Sequence, residues 1–323
     1  MLDALKFVAR AIARRDYVPG MTHFRIQGKR CTAYNGTLAI SAPVDIAFDI
    51  APQASLFMKA LEACEDVITL RLDDNGNLLV RSGAFRVVVP CVPLDTVKRI
   101  NPDGLTIFSE VPLLAAFTAL RDFIGSDANR AWSLGVLLAG QSAYATNNVI
   151  VAEYWLGLDF PSVVNVPFFA IDEIIWIEDE IHSLQIGKDS VTFHYSDGKW
   201  IKSPLLSLDW PDVRGLMAKS WQDAQLAAIT EDFRKSCGKL AKLSEDDLPR
   251  IFFRDGELST RPGGLADGGA IIEIAGLPTK GCYNAKLLNV MLASATKIDF
   301  TKYPAPIPFA SGNLRGVMMG AIR

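Results

Sequence analysis

Two groups of side chains in this sequence have the types from which chemistry is built. The first is acidic. Asp172-Glu173 and Glu178-Asp179-Glu180 could serve acid–base or metal work. The histidines His23, His182 and His194 match no metal-ligand spacing, so a solvated face is the better reading of these carboxylates. The cysteines Cys31, Cys64, Cys91, Cys237 and Cys282 are scattered and contain no C-x-x-C pair, which argues against a zinc site or a disulfide framework. The second group is basic. Lys6, Arg10 and Arg14 stand four apart, as do Lys235 and Lys239, with Lys242 three further on and Arg234 alongside. On a helix such spacing makes a ridge of positive charge, and phosphates are the natural partner for it.

The elements that must carry these ridges repeat three times. An amphipathic helix opens each repeat, with apolar stripes at Leu2, Leu5, Ala9 and Ile12, at Leu113, Phe117, Leu120 and Ile124, and at Phe233, Cys237 and Leu240. Two short strands around a turn are expected next, with turns at Gly28, Gly140 and Gly256 and second turns seven residues later at Asn35, Asn147 and Gly263. A second helix is predicted over 55–63, 167–176 and 284–293. Each repeat closes on a hairpin around Gly83, Gly198 or Gly312. The closing glycines are separated by 115 and 114 residues and the first-turn glycines by 112 and 116, so the landmarks hold register through the chain. The fold class is α+β, with helices on one side of antiparallel sheet. Pro102-Asp103-Gly104 and Trp210-Pro211-Asp212 punctuate the chain and give domains 1–103, 104–213 and 214–323.

A single basic helix is ordinarily a solvated face. Ridges at equivalent positions of the first and third repeats favour a common surface for a polyanion. The middle repeat offers less, Arg121 on its opening helix and Arg130 just beyond. The 323 residues carry 33 Lys and Arg against 36 Asp and Glu, a net charge of −3, so any nucleic-acid affinity must come from distribution rather than total charge. The N-terminal segment interleaves basic and apolar residues and does not read as a secretory signal. No run of apolar residues is long enough to span a bilayer. A cytoplasmic protein without membrane contact, cofactor or metal is expected.

Several stretches resemble the β sliding clamp of bacterial DNA polymerase III, in a shortened, phage-like form. Leu79-Val-Arg-Ser-Gly83 with Phe85-Arg86 is similar to the last hairpin of that family's first domain, and Ala145-Thr-Asn-Asn148 to the ATDG stretch of its second. Pro211-Asp-Val-Arg-Gly-Leu216 resembles the linker to the third domain; Tyr283-Asn-Ala-Lys-Leu-Leu288 and Arg315-Gly-Val-Met-Met319 resemble the final helix and strand. The resemblance implies three clamp domains, each with two inner helices and an antiparallel outer sheet. It also implies a head-to-tail homodimeric ring around double-stranded DNA, bound without sequence preference. DNA polymerase and a clamp loader would be the partners.

By the same resemblance Lys6, Arg10, Arg14, Arg15, Arg121, Arg130, Trp132, Arg234, Lys235, Lys239 and Lys242 would face DNA. A groove for a partner peptide would be formed by Thr146, Asn148, Ile150, Val151, Pro211, Leu216, Val317, Met318 and Met319, and Leu243 would lie at the dimer interface. Ala131 replaces a second aromatic of the DNA-contacting loop. Ile150 stands at a usually basic position, and Gly320-Ala321-Ile322 replaces the usual Pro-Met-Arg ending. Two other readings stand beside this one: a non-encircling repeat scaffold that docks replication or transcription proteins, and an enzyme acting on nucleic acid.

Overall fold

The structure is a computed structural model that describes residues 1–108, 110–243, 249–254, 256–278 and 280–321. The chain divides into two compact units, Met1–Glu110 with Ile177–Leu205, and Val111–Trp176 with Leu206–Arg323.

The first unit begins with helix α1 (Leu2–Ala9), which buries Leu5, Phe7 and Val8 together with Ala11 just beyond its end. Its buried stripe is therefore turned from the expected Leu2–Leu5–Ala9–Ile12 line. The helix also ends five positions before Arg14. The N–H groups of Ala11 and Ile12 donate to the carbonyls of Val8 and Ala9, which tightens the last turn, and Ala13 N–H then donates to Met21 O at 3.1 Å and draws the chain off the helix axis. Helix α2 (Ala54–Glu62) buries Ala54, Phe57, Ala60 and Leu61, and its first turn is capped by Gln53, whose side chain accepts from Leu56 N–H. An antiparallel seven-stranded sheet runs in the order Arg25–Gln27, Arg30–Tyr34, Ala39–Pro43, Trp200–Pro204, Ser190–His194, Ser183–Ile186 and Leu105–Phe108. A smaller sheet joins Ile68–Leu72, Leu78–Ser82 and Phe85–Val89.

In the second unit, helix α3 (Leu113–Leu120) buries the expected stripe of Leu113, Phe117 and Leu120, with Ile124 beyond it. Helix α4 (Phe168–Ile177) follows the long strand Ile150–Pro167. Next come α5 (Val213–Trp221), α6 (Glu231–Leu243) and α7 (Ala285–Ser294). Helix α6 buries Phe233, Cys237 and Leu240 as its spacing predicts, and Asn284 caps α7 by accepting Leu287 N–H at 3.1 Å. The main sheet of this unit orders Gly135–Thr146, Ile150–Pro167, Leu314–Met318, Ile307–Ser311, Lys297–Ile298 and Ala227–Ala228.

The turn landmarks survive with one correction. The closing hairpins turn at Gly83, Gly198 and Gly312, all with positive φ. Asn35 and Asn147 use one device, each side-chain oxygen accepting the N–H groups two and three residues on. Gly140, however, is not a turn. The strand Gly135–Thr146 runs straight through it, and Gly140, at φ 60°, sits where the register against Ile150–Pro167 slips. A left-handed glycine absorbs an extra residue as a bulge without ending the strand. Asp255, before the Gly256 turn, and Ile322 of the C-terminal segment lie outside the described residues.

The repeats share sheets rather than standing apart. Ala39–Ser41 pairs with Trp200–Lys202, and Ile150–Tyr154 pairs with Leu314–Met318. Strands of the middle repeat thus extend the sheets of both neighbours, and the division into two units follows from that sharing.

Candidate nucleic-acid interface and partner groove

Helix α6 presents the clearest basic face. With Phe233, Cys237 and Leu240 turned inward, Lys235, Lys239 and Lys242 are exposed. Lys235 pairs with Glu231 at 3.7 Å; among the described residues no ion pair forms on Lys239 or Lys242. Arg234 is half-buried and its guanidinium donates to the carbonyl of Ala295, so it braces α6 rather than projecting. Leu243 ends the helix with an exposed apolar side chain.

Lys6 and Arg10 are exposed on and just after α1, and Lys6 meets Glu62 of α2 at 3.5 Å. Arg14 and Arg15 are exposed on the bend after the helix and do not continue its ridge. Arg121 is committed within its own unit: its guanidinium forms a two-point contact with Asp172, with Nη2 donating to Oδ2 at 2.9 Å. The bond to Asp172, then that carboxylate's charge and that of Asp122, outweigh burial and raise the Arg121 pKa. One carboxylate of the acidic cluster is thereby explained as the partner of an arginine. Arg130 is exposed and stands 3.8 Å from Asp127, which caps the same short 3-10 segment, Ala128–Ser133. Trp132 packs edge-on against Trp210 with ring centroids 5.2 Å apart. Among the described residues no group of three or more His, Cys, Asp or Glu could hold a metal ion, and no helix is long and apolar enough to cross a membrane.

The expected groove residues separate by face. Val151 and Val317 are direct cross-strand partners and join an apolar cluster with Leu137, Ala139, Tyr144, Val213 and Met217. Ile150 and Met318 are also partners, but alternation turns them to the opposite face, where both are wholly buried. They support the strands and do not line the groove. Thr146 is buried too; its hydroxyl donates to Ile150 O at 2.7 Å and accepts Asn148 N–H at 3.0 Å, holding Asn148 in a left-handed turn. The accessible apolar rim consists of Pro211, Leu216 and Met319.

Sequence reasoning missed α5 and two tryptophans, Trp210 before its start and Trp221 at its end. Trp210 and Trp221 pack on the cluster around Val151, and both indole nitrogens are buried with no hydrogen-bond partner among the described residues. The signal was present: Asp212 caps α5 by accepting Gly215 N–H at 2.9 Å, and Val213 and Met217, four apart, are its buried positions.

Next to this cluster a cavity of about 460 Å³ is bordered by Tyr144, Glu153, Arg214, Trp221 and Arg315. Glu153 accepts from Ser142 Oγ at 2.6 Å, Tyr144 OH at 3.2 Å and Arg315 Nε at 2.6 Å. Burial alone would push the Glu153 carboxyl up. The Arg315 and Ser142 hydrogen bonds, the Arg315 charge and the Tyr144 hydroxyl outweigh it and hold the group below the ordinary glutamate value.

No known protein-family profile matches the chain, and no curated protein matches it by sequence. Solved structures do match, over its whole length. The DNA polymerase sliding clamp from Caulobacter crescentus superposes with a TM-score of 0.81 at 18% identity, and that from Pseudomonas aeruginosa with 0.83 at 16%. The sliding clamp (DNA polymerase III subunit beta) from Bartonella birtlesii, solved bound to griselimycin, gives 0.81 at 17%. Each covers 100% of this chain and 97% of its own. The chain thus has the sliding-clamp fold throughout, as the resemblance of its sequence implies.

Proposed function

We propose that this protein is a sliding clamp. In this reading two copies close head to tail into a ring around double-stranded DNA and tether a replicative polymerase, with a clamp loader opening the ring. The observation that carries the reading is the likeness in fold over the entire chain to clamps from several bacteria. Lys239 and Lys242 on α6, with Lys6, Arg10, Arg14 and Arg15 around α1, would supply sequence-independent phosphate contacts. The three clamp domains would be 1–103, 104–213 and 214–323, with Leu243 at the dimer interface. Pro211, Leu216 and Met319 would form the rim on which a partner peptide docks, over the floor of Val151 and Val317. The protein itself makes and breaks no bond; tethering replaces tight binding with high effective concentration. It works in the cytoplasm and needs no cofactor.

Retention on DNA of different topology tests the proposal. The chain, loaded on nicked circular plasmid, should stay bound through gel filtration in moderate salt and be lost from the same plasmid in linear form. Equal retention on both would favour a scaffold that does not encircle DNA, and turnover of a nucleotide or phosphodiester substrate would favour an enzyme.

A further inference from the structure

The first unit contains a cavity of about 560 Å³ bordered by Arg25, Arg30 and Arg99, with His194 and Trp200 also on its wall. Among the described residues no ion pair forms on any of these arginines. The carboxylate of Asp49 bonds two residues of the wall, accepting from Gln27 Nε2 at 3.3 Å and Gly28 N–H at 3.0 Å, and among the described residues it bonds none of the three arginines.

Arg25 and Arg30 are held by neutral groups. Arg25 is only 9% exposed, yet among the described residues its guanidinium meets the carbonyls of Leu94 and Val97 and the side-chain oxygen of Gln27, and its buried Nε has no hydrogen-bond partner. Arg30 donates to Ser41 Oγ at 3.2 Å and Gly198 O at 2.9 Å. Burial lowers its pKa below the usual arginine value. His194 is held below the ordinary histidine range by burial, then by the Arg30 charge and His182, which favours its uncharged form near neutrality. Arg99 is exposed and makes no hydrogen bond among the described residues.

Among the described residues no carboxylate pairs with any of these three guanidiniums, and buried charges are ordinarily paired. A single carboxylate would neutralise one of them, whereas a chain of phosphates carries three or four charges and accepts from several guanidinium forks at once. The cavity is larger than a phosphate ion needs and falls in the range of small-molecule sites. Ile100 and Pro102 add an apolar wall beside the cations. We propose that this cavity binds a nucleoside polyphosphate, its phosphates on Arg25, Arg30 and Arg99 and its ring system against Ile100 and Pro102. The site is separate from the residues expected to face DNA.

Calorimetric titration of the full chain with ATP, pyrophosphate and adenosine, without magnesium and in low salt, tests this. One ATP should bind per chain, pyrophosphate should compete with it, and adenosine should give no saturable heat. Arg99→Met removes a side chain with no structural hydrogen bond and should weaken ATP at least about tenfold without moving the melting temperature. Arg30→Met should weaken it as much, with its melting curve showing whether the fold is kept. Absence of saturable ATP binding at millimolar concentration would overturn the proposal. So would ATP affinity left within twofold by Arg99→Met. Displacement of ATP by a short duplex at stoichiometric amounts would also overturn it, because the cations would then belong to the DNA path.

Discussion

Cutting the pair Glu153–Arg315 from either side should give unequal losses. Glu153 is 4% exposed, whereas the Arg315 side chain is 53% exposed. Glu153→Gln leaves a half-exposed guanidinium that water can solvate. Its cost is the charge-assisted part of the hydrogen bonds, about 1–2 kcal/mol. Arg315→Ala leaves a buried carboxylate held by Ser142 and Tyr144 alone. Removing one partner from a buried pair costs about 3–5 kcal/mol, and access of water through the adjoining cavity places this case at the lower end. Urea denaturation at pH 7, following the transition of the second unit, measures both. The pH dependence supplies the sign. With Arg315 present, the carboxyl is depressed in the fold, so its contribution is full above the unfolded glutamate value, about 4.3, and is lost as pH falls through the lower folded value. Without Arg315, burial prevails and raises the carboxyl, so acidification relieves the variant. The gap between Arg315→Ala and wild type should narrow from pH 7 to about pH 4.5. Equal costs for the two substitutions, or a gap that widens with acid, would refute the reasoning.

Other expectations follow from the same geometry. Reversing Lys239 and Lys242 to Glu should weaken DNA association and lower the slope of log affinity against log salt by about 1.8, two phosphate contacts' worth; an unchanged slope would remove α6 from the DNA-facing surface. Met319→Ser and Leu216→Ser should reduce polymerase stimulation with little change in melting temperature, because both side chains are partly exposed, while Met318→Ser should destabilise the fold by roughly 2–5 kcal/mol because that side chain is wholly buried. If Met318→Ser melted like wild type, the assignment of strand faces would be wrong. Gly316→Ala would place a Cβ 2.2 Å from Cζ of the buried Phe309 and should cost about 1–3 kcal/mol by denaturant titration.

The sequence was most readable where one local rule acted alone. The stripes Leu113–Phe117–Leu120 and Phe233–Cys237–Leu240 needed only helical spacing. Gly140 misled because a left-handed glycine serves a turn and a bulge equally well, and only the partner strand Ile150–Pro167 decides between them. Arg14 was placed on α1 because its spacing fitted, while the bond from Ala13 N–H to Met21 O, which ends the helical path, joins residues that no local pattern connects. The pairing of Arg121 with Asp172 spans 51 positions, which is why both looked unpartnered in sequence. Ile150 and Met318 sat among plausible groove residues, yet strand alternation sends them to the core side.

The claim that the chain holds DNA by encirclement is tested most directly by cutting the circle. Labelled protein is loaded on a closed plasmid carrying one restriction site, and its release is followed after cleavage, with and without bulky blocks on both new ends. Encirclement predicts retention before the cut, rapid loss after it, and retention again when the ends are blocked. Release that ignores the cut, or loss past blocked ends, would contradict it.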